Sequence, residues 1–306
     1  MVVRPCHNRS VSPWPEPVAR GYAACEKLVR SHYENFPVAS RVLPKSMRPH
    51  VAALYAFARV ADDIADEGTA SAGERRAQLQ AWQSRLHCAV GLAHTPDDGI
   101  SDRDELILTA LGHSIRSLDL PIALFDDLVS AFGQDTMTKR YASWSDVLEY
   151  CRRSANPVGR LVLRIAGYRD DTLDRSSDAL CTALQLTNFW QDLGRDWHAG
   201  RLYVPLEVQE ACGANEDDLT SGRLGTTWAR AIESCVSFTR AKFAEGRAVC
   251  DEVRGRLRLE LRCTWLGGMR ILERTERGRF DLFNRRPKLG MADAPLLAWQ
   301  ALRWHQ

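Results

Sequence analysis

The placement of proline constrains this chain more than any other single feature. Proline has no backbone N–H and a fixed φ, so it is poorly tolerated inside helices and central strands. The thirteen prolines leave residues 50–95, 122–156, 158–204 and 206–286 free of any. Within those stretches apolar residues recur at spacings of three and four rather than two, which is the helical period. Val51, Leu54, Tyr55 and Ala58 form one such stripe; Leu180, Leu184, Thr187, Phe189 and Trp190 form a broader one. The pattern predicts an all-α chain with helices near 18–34, 47–67, 73–92, 102–118, 121–133, 144–167, 175–197, 203–212, 226–253 and 256–278. No internal repeat or Pro/Gly/Ser-rich linker divides it. One domain is expected over 18–290, with a flexible N-terminal tail over 1–17 and a C-terminal tail over 291–306.

Charge and composition then exclude whole classes of function. The chain has 306 residues, 45% of them apolar, enough for a substantial core. Lys and Arg number 41 against 39 Asp and Glu, with both signs interleaved, so no nucleic-acid-binding face is expected. The longest run without Asp, Glu, Lys or Arg is thirteen residues, Ala179 to Gln191. That is short of the roughly 20 needed to span a bilayer as a helix. The N-terminus has no apolar h-region, so a secretion signal is not expected. Nine cysteines without a C-x-x-C pair suit buried thiols in a reducing cytosol, and the eight histidines show no metal-binding spacing.

Two acidic clusters carry the chemistry. In Arg59-Val-Ala-Asp62-Asp63-Ile-Ala-Asp66-Glu67, helical spacing puts Asp62 and Asp66 on one face, with Arg59 one turn before Asp62. Like charges that close repel, and a divalent cation bridging to a phosphorylated substrate would offset the repulsion; an acidic, solvated helix end before Gly68 is the plainer reading. Asn188, Asp192 and Asp196 follow at i, i+4 and i+8 among Leu184, Leu186, Phe189, Trp190, Leu193 and Trp197. Carboxylates in apolar surroundings need a cation, whether a metal ion or an arginine. Two such faces on two helices describe a clamp for a diphosphate. Arg201 sits in the turn after Gly200, where its guanidinium could hold phosphate oxygens or pair with Asp196.

These residues resemble the squalene/phytoene synthase family. The first aspartate-rich motif of that family matches Asp62, Asp63 and Asp66; the second, Asn-x-x-x-Asp-x-x-x-Asp, matches Asn188, Asp192 and Asp196. Gly200, Arg201, Tyr203 and Pro205 match the element that follows. Phe36 to Arg41, including Ser40, occupies the substrate-entry segment, and Leu54 to Arg59 is the run into the first motif. The likeness spans about residues 18 to 290. It implies an all-α isoprenoid-synthase helical bundle with a central apolar cavity, a prenyl diphosphate substrate and Mg2+ held by Asp62, Asp63, Asp66, Asn188, Asp192 and Asp196. It also implies catalytic roles for Asp62, Asp66, Asp192, Asp196, Arg59 and Arg201, and substrate contacts from Ser40, Arg41, Tyr55, Asn156, Gln191 and Tyr203. Tyr55, Phe57, Phe189 and Trp190 are candidates for an apolar wall that shields a carbocation from water.

Two departures from the family pattern narrow the reading. Gln191 stands where many relatives have Arg before the second motif, and Ser154-Ala155-Asn156-Pro157-Val158-Gly159 replaces a Val-Ala-Gly-x-Val-Gly run. With the segment around Phe36, these resemble the hydroxysqualene synthase branch of bacterial hopanoid biosynthesis, which converts presqualene diphosphate and water to hydroxysqualene. Asn156 and Gln191 are then candidates to hold the attacking water, and a presqualene diphosphate synthase would be a functional partner. A condensing prenyl-diphosphate synthase and a non-catalytic binding factor are the other readings. The basic stretch of Arg270, Arg274, Arg277, Arg279, Arg285, Arg286 and Lys288 suggests either peripheral contact with anionic lipid or a solvated helix face pairing with Glu273 and Glu276. The expected location is cytoplasmic.

Overall fold

The computed structural model describes residues 14–31, 42–92, 101–222 and 224–304. Over these residues the secondary structure is helical, with a single isolated bridge between Arg140 and Leu202. The first helices are α1 (Glu16–Ser31), α2 (Arg48–Asp66), α3 (Ala72–Ala89), α4 (Asp102–Leu118) and α5 (Ile122–Asp135). They are followed by α6 (Trp144–Ser154), α7 (Asn156–Ile165), α8 (Asp171–Gln191), α9 (Leu193–His198), α10 (Leu206–Cys212) and α11 (Glu216–Thr220). The chain closes with α12 (Thr226–Glu245), a 3-10 turn (Gly246–Ala248), α13 (Val249–Glu252), α14 (Gly255–Arg277) and α15 (Asp293–Leu302).

Several boundaries follow from local chemistry. Ser71 and Ser143 form capping boxes with Glu74 and Asp146, and Asp170 accepts from the Thr172 and Leu173 amides, so α8 starts at Asp171 rather than near 175. The helix expected over 144–167 is two helices. Proline fits the first turn of a helix but not its interior, so α6 stops at Ser154 and α7 restarts with Pro157 as its second residue. The helix expected over 226–253 is interrupted at Gly246. A Cβ there would lie 2.6 Å from the Leu180 backbone nitrogen, so close approach to α8 takes precedence over helical continuity. Residues 291–306, expected as a tail, hold α15. Its Asp293 is tied to Arg274 of α14 by bonds of 2.7 and 2.9 Å.

The core is one cluster, with Trp82, Trp190, Trp228, Phe57, Phe125 and Phe243 fully buried. Phe57 stacks on Trp82, and the Trp190 indole donates to Thr239 at 2.8 Å. These two members of the expected cavity wall are therefore core residues. α8 is the axis of the second half, packed by α7, α12 and α14. It runs parallel to α14. The Arg254 amide, just before α14, donates to the Tyr168 hydroxyl, just before α8, and Gln191, the last residue of α8, donates to the Pro287 carbonyl beyond the end of α14. That alignment brings the strap after α14 onto the end of α8. No described helix is long and apolar enough to cross a membrane. The described cysteines are all free, and Cys25, Cys151, Cys235 and Cys250 are buried.

Candidate active site

The first acidic face occupies the last two turns of α2. Carboxylates at a helix C-terminus oppose the helix dipole, so this position needs cations. Arg75 of α3 supplies one, donating to the carbonyls of Ile64, Ala65 and Gly68 at 3.1, 2.8 and 2.8 Å. The Ile64 and Ala65 carbonyls are among those left without helical partners where α2 ends. Arg59 supplies another, meeting Asp62 at 3.0 Å, Asp63 at 2.5 Å and Glu67 at 3.0 Å. Even so, burial raises the Asp62 carboxyl to about 6, with the Asp66 charge adding to the rise and Arg59 opposing it.

The second face is built on a broken helix. α8 ends at Gln191 and α9 begins at Leu193, yet the Asp192 amide still bonds the Asn188 carbonyl and the Asp196 amide the Asp192 carbonyl, both at 2.9 Å. The one-turn spacing of Asn188, Asp192 and Asp196 therefore survives the break. Asn188 is exposed, whereas the Asp192 and Asp196 side chains are only 14% and 16% exposed. Arg286 grips both oxygens of Asp192, the outer nitrogen at 2.9 Å, and Gln191 donates to the Pro287 carbonyl at 2.6 Å. Gly194 lets the strap approach, since a Cβ on it would come within 2.9 Å of the Phe283 Cα. Burial pushes Asp196 up to about 7, with Arg201 opposing the rise and Asp192, Asp66 and Asp135 reinforcing it.

Arg201 joins the two faces. It bonds Asp66 at 2.9 Å and approaches Asp196 to 3.8 Å, while its Nε has no hydrogen-bond partner. Its turn is rigid. Gly200 sits at φ +78, where a side chain would be strained, and its carbonyl accepts from Arg140, whose guanidinium also pairs with Glu216 and covers Trp197. The Lys139–Ala142 strand of backbone binds residues 202, 206 and 207, placing Tyr141 against Tyr203. Tyr203 in turn stacks on Phe189 at 3.7 Å, and Tyr150 closes the aromatic slab. A polar recess of about 290 Å³ beside this turn is lined by Asp66, Arg75, Thr136, Lys139 and Arg201.

A third carboxyl lies between the faces. Asp135, the last residue of α5, accepts from the Tyr150 hydroxyl at 2.7 Å, and its other oxygen is buried without a partner. Burial raises it to about 7; Tyr150 and Arg201 pull it down, and Asp66 and Asp62 push it further up. The site is thus rich in carboxylates that favour a bound cation. Among the described residues no three His, Cys, Asp or Glu converge into a ready-made metal cage. The carboxylates of Asp62, Asp66, Asp192 and Asp196 are oxygen ligands of the kind a hard divalent cation takes.

A sequence model described as squalene/phytoene synthase matches residues 29–293. The chain belongs to the squalene/phytoene synthase family. It is 38% identical over 210 residues to a hydroxysqualene synthase of Zymomonas mobilis, covering 68% of this chain and 67% of the relative. A hydroxysqualene synthase of Rhodopseudomonas palustris is 32% identical over 230 residues, 74% of each chain. The crystal structure of squalene synthase HpnC from Alicyclobacillus acidocaldarius superposes with a TM-score of 0.78 at 39% identity, covering 87% of this chain and 97% of that one. A dehydrosqualene synthase superposes with a TM-score of 0.81 at 23% identity, covering 94% and 99%. The fold is the all-α isoprenoid-synthase bundle, and the protein is an enzyme of this family.

In this member of the squalene/phytoene synthase family, the residues singled out in the sequence divide into three groups. Arg59, Asp62, Asp63, Asp66, Asp192, Asp196, Arg201 and Tyr203 surround one site, with Asn188 on its exposed flank. Tyr55 lies half-buried two turns before Asp62; Asn156 is buried, its oxygen accepting from Thr182 at 3.0 Å. Ser40 and Arg41 lie outside the described residues. Sequence reasoning missed Asp135 and Tyr150, which sit in no repeated spacing, and it placed Arg286 in a basic stretch facing solvent or lipid. Within that stretch Arg270 and Arg274 pair with Asp293, Arg277 with Glu273 and Arg286 with Asp192, while Glu276 pairs with Arg240.

Proposed function

We propose that this enzyme converts presqualene diphosphate and water to hydroxysqualene and diphosphate, a step of hopanoid and squalene biosynthesis. The observation that carries the reading is Arg201 spanning two carboxylate faces, in a chain whose relatives at 38% and 32% identity are named hydroxysqualene synthase. Mg2+, held by Asp62, Asp63, Asp66, Asn188, Asp192 and Asp196, supplies positive charge to the diphosphate when bound. Arg201 and Arg59 hold phosphate oxygens as the carbon–oxygen bond breaks, a role suited to forked guanidinium donors. Tyr203, Phe189 and Tyr55 present aromatic faces to the carbocation and exclude stray water. Ser40 and Arg41 contact the substrate from the entry segment. Asn156 and Gln191 position the water that captures the cation; each still has one amide atom to offer beyond its bond to Thr182 or Pro287.

The test is incubation of the purified protein with Mg2+ and, separately, presqualene diphosphate and C15 and C20 prenyl diphosphates, without NADPH. A C30 alcohol from presqualene diphosphate is expected. Presqualene diphosphate formed from the C15 substrate would move the enzyme to the condensing branch. That second reading draws support from the 39% identical structure described as a squalene synthase. Replacing Asn156 and Gln191 together is expected to lower the alcohol share of the products; an unchanged share would remove the water role from both.

A further inference from the structure

The last helix has no polar outer face. The one charge on α15 is Asp293, which is buried and paired with Arg274. Leu297 and Ala301 turn inward, toward α14. The exposed residues are Ala294, Pro295, Leu296, Ala298, Trp299 and Leu302, with Leu296 37%, Trp299 52% and Leu302 72% exposed. Met291, just before the helix, is 96% exposed. A helix on a water-facing surface ordinarily opposes its apolar stripe with charged residues, and a contiguous exposed apolar patch marks an interaction surface. Away from α15, the large exposed apolar side chains among the described residues are Leu92, Met137 and Leu206, together with Phe280 and Leu289 on the strap.

The rim identifies the partner. From 285 to 303 the exposed charges are Arg285, Lys288 and Arg303, all positive, and the Arg303 guanidinium lies 4.9 Å over the Trp299 ring. A second copy of the same face would oppose cation to cation. An anionic bilayer meets both features, taking the tryptophan and leucines at the headgroup boundary while its phosphates meet the basic rim. The surface also continues into the site. The strap that carries Lys288 and Met291 places Arg286 on Asp192 and the Pro287 carbonyl on Gln191.

We propose that α15 and the strap before it form a docking surface for an anionic phospholipid bilayer. It deepens the reading above, because a C30 substrate and product partition into lipid, but its test does not depend on turnover. The experiment is flotation of the full chain with phosphatidylcholine vesicles containing phosphatidylglycerol, and with phosphatidylcholine alone. The wild type is expected to float with the mixed vesicles and to be released by high salt. Replacing Trp299 and Leu302 by Glu together is expected to lower partition roughly tenfold or more without lowering the unfolding temperature, since both residues are more than half exposed. Should that variant unfold, reversing Arg285, Lys288 and Arg303 to Glu gives the same reading through the charged rim. The proposal is overturned if the wild type floats with neither vesicle, or if folded variants bind undiminished. It is equally overturned if sedimentation shows a wild-type dimer that the apolar variant converts to monomer.

Discussion

The two aspartate faces share a four-residue spacing but hold their carboxylates differently. On α2, Asp62 and Asp66 are 43% and 42% exposed, on an unbroken helix braced by Arg59 and Arg75 from nearby in the sequence. At the α8–α9 break, Asp192 and Asp196 are 14% and 16% exposed, and the guanidinium closest to Asp192 comes from Arg286, 94 residues along the chain. Charge near solvent is screened by water, whereas charge in a cleft must be met by a partner of fixed geometry. The first face is therefore a tolerant platform, and the second depends on the tertiary fold. Arg201 belongs to both.

The largest expected effect follows from that shared residue. Arg201→Ala should lower kcat/KM for diphosphate release by roughly 10²–10³, with Arg201→Lys recovering only part, because a single ammonium cannot serve both faces. A loss below about tenfold would mean the faces work independently.

Proton linkage comes next. Asp62, Asp135 and Asp196 are raised to about 6, 7 and 7, so the folded, metal-free protein favours their protonated forms. Their contribution to stability is fully present below the unfolded carboxyl pKa of about 4 and is lost as pH rises to about 7. Asp62, being 43% exposed, contributes least. Mg2+ bound as proposed would displace these protons, so its affinity should climb between about pH 5.5 and 7.5 with proton release, measured calorimetrically in two buffers of different ionisation heat. Asp135→Asn should shift that rise to lower pH, because the Asp135 charge helps to raise Asp196. A pH-independent affinity would separate the carboxylates from the metal.

Stability then separates the faces directly. Arg286→Ala leaves Asp192 buried without its partner and should cost about 1–3 kcal/mol in urea unfolding, largely recovered by Mg2+. Glu67→Gln on the first face removes a partner of Arg59 that is itself 67% exposed, and should change stability by less than about 1 kcal/mol with no response to Mg2+. Equal losses at both positions would erase the distinction between the faces.

Much of this architecture was legible before the fold was known, in particular places. The spacing of Asp62 and Asp66 needed only the helical period, and the turn at Gly200 and Arg201 followed from glycine. The break at Asp192 was not legible, because the hydrogen bonds on either side preserve the periodicity that sequence reading relies on. Asp135 carries no pattern; it matters because the end of α5 meets the Arg201 turn. Arg286 read as one of seven basic residues, and nothing local distinguishes the one that reaches Asp192 from those that pair with Asp293 or Glu273. Residues 291–306 read as a tail, yet they hold α15; ten residues are too few to form a stable helix alone, and docking on α14 through Asp293 and Arg274 supplies the missing stability.

What the sequence determined by itself was periodic: an all-α chain, two acidic faces and an arginine turn after the second, each set by residues within a few positions of one another. What only the tertiary structure decided was which of those charges meet. The approach of Arg201 to Asp66, of Arg286 to Asp192 and of Tyr150 to Asp135 depends on how helices distant in sequence pack. Helical periodicity fixes the face on which a residue lies, but packing fixes what that face confronts.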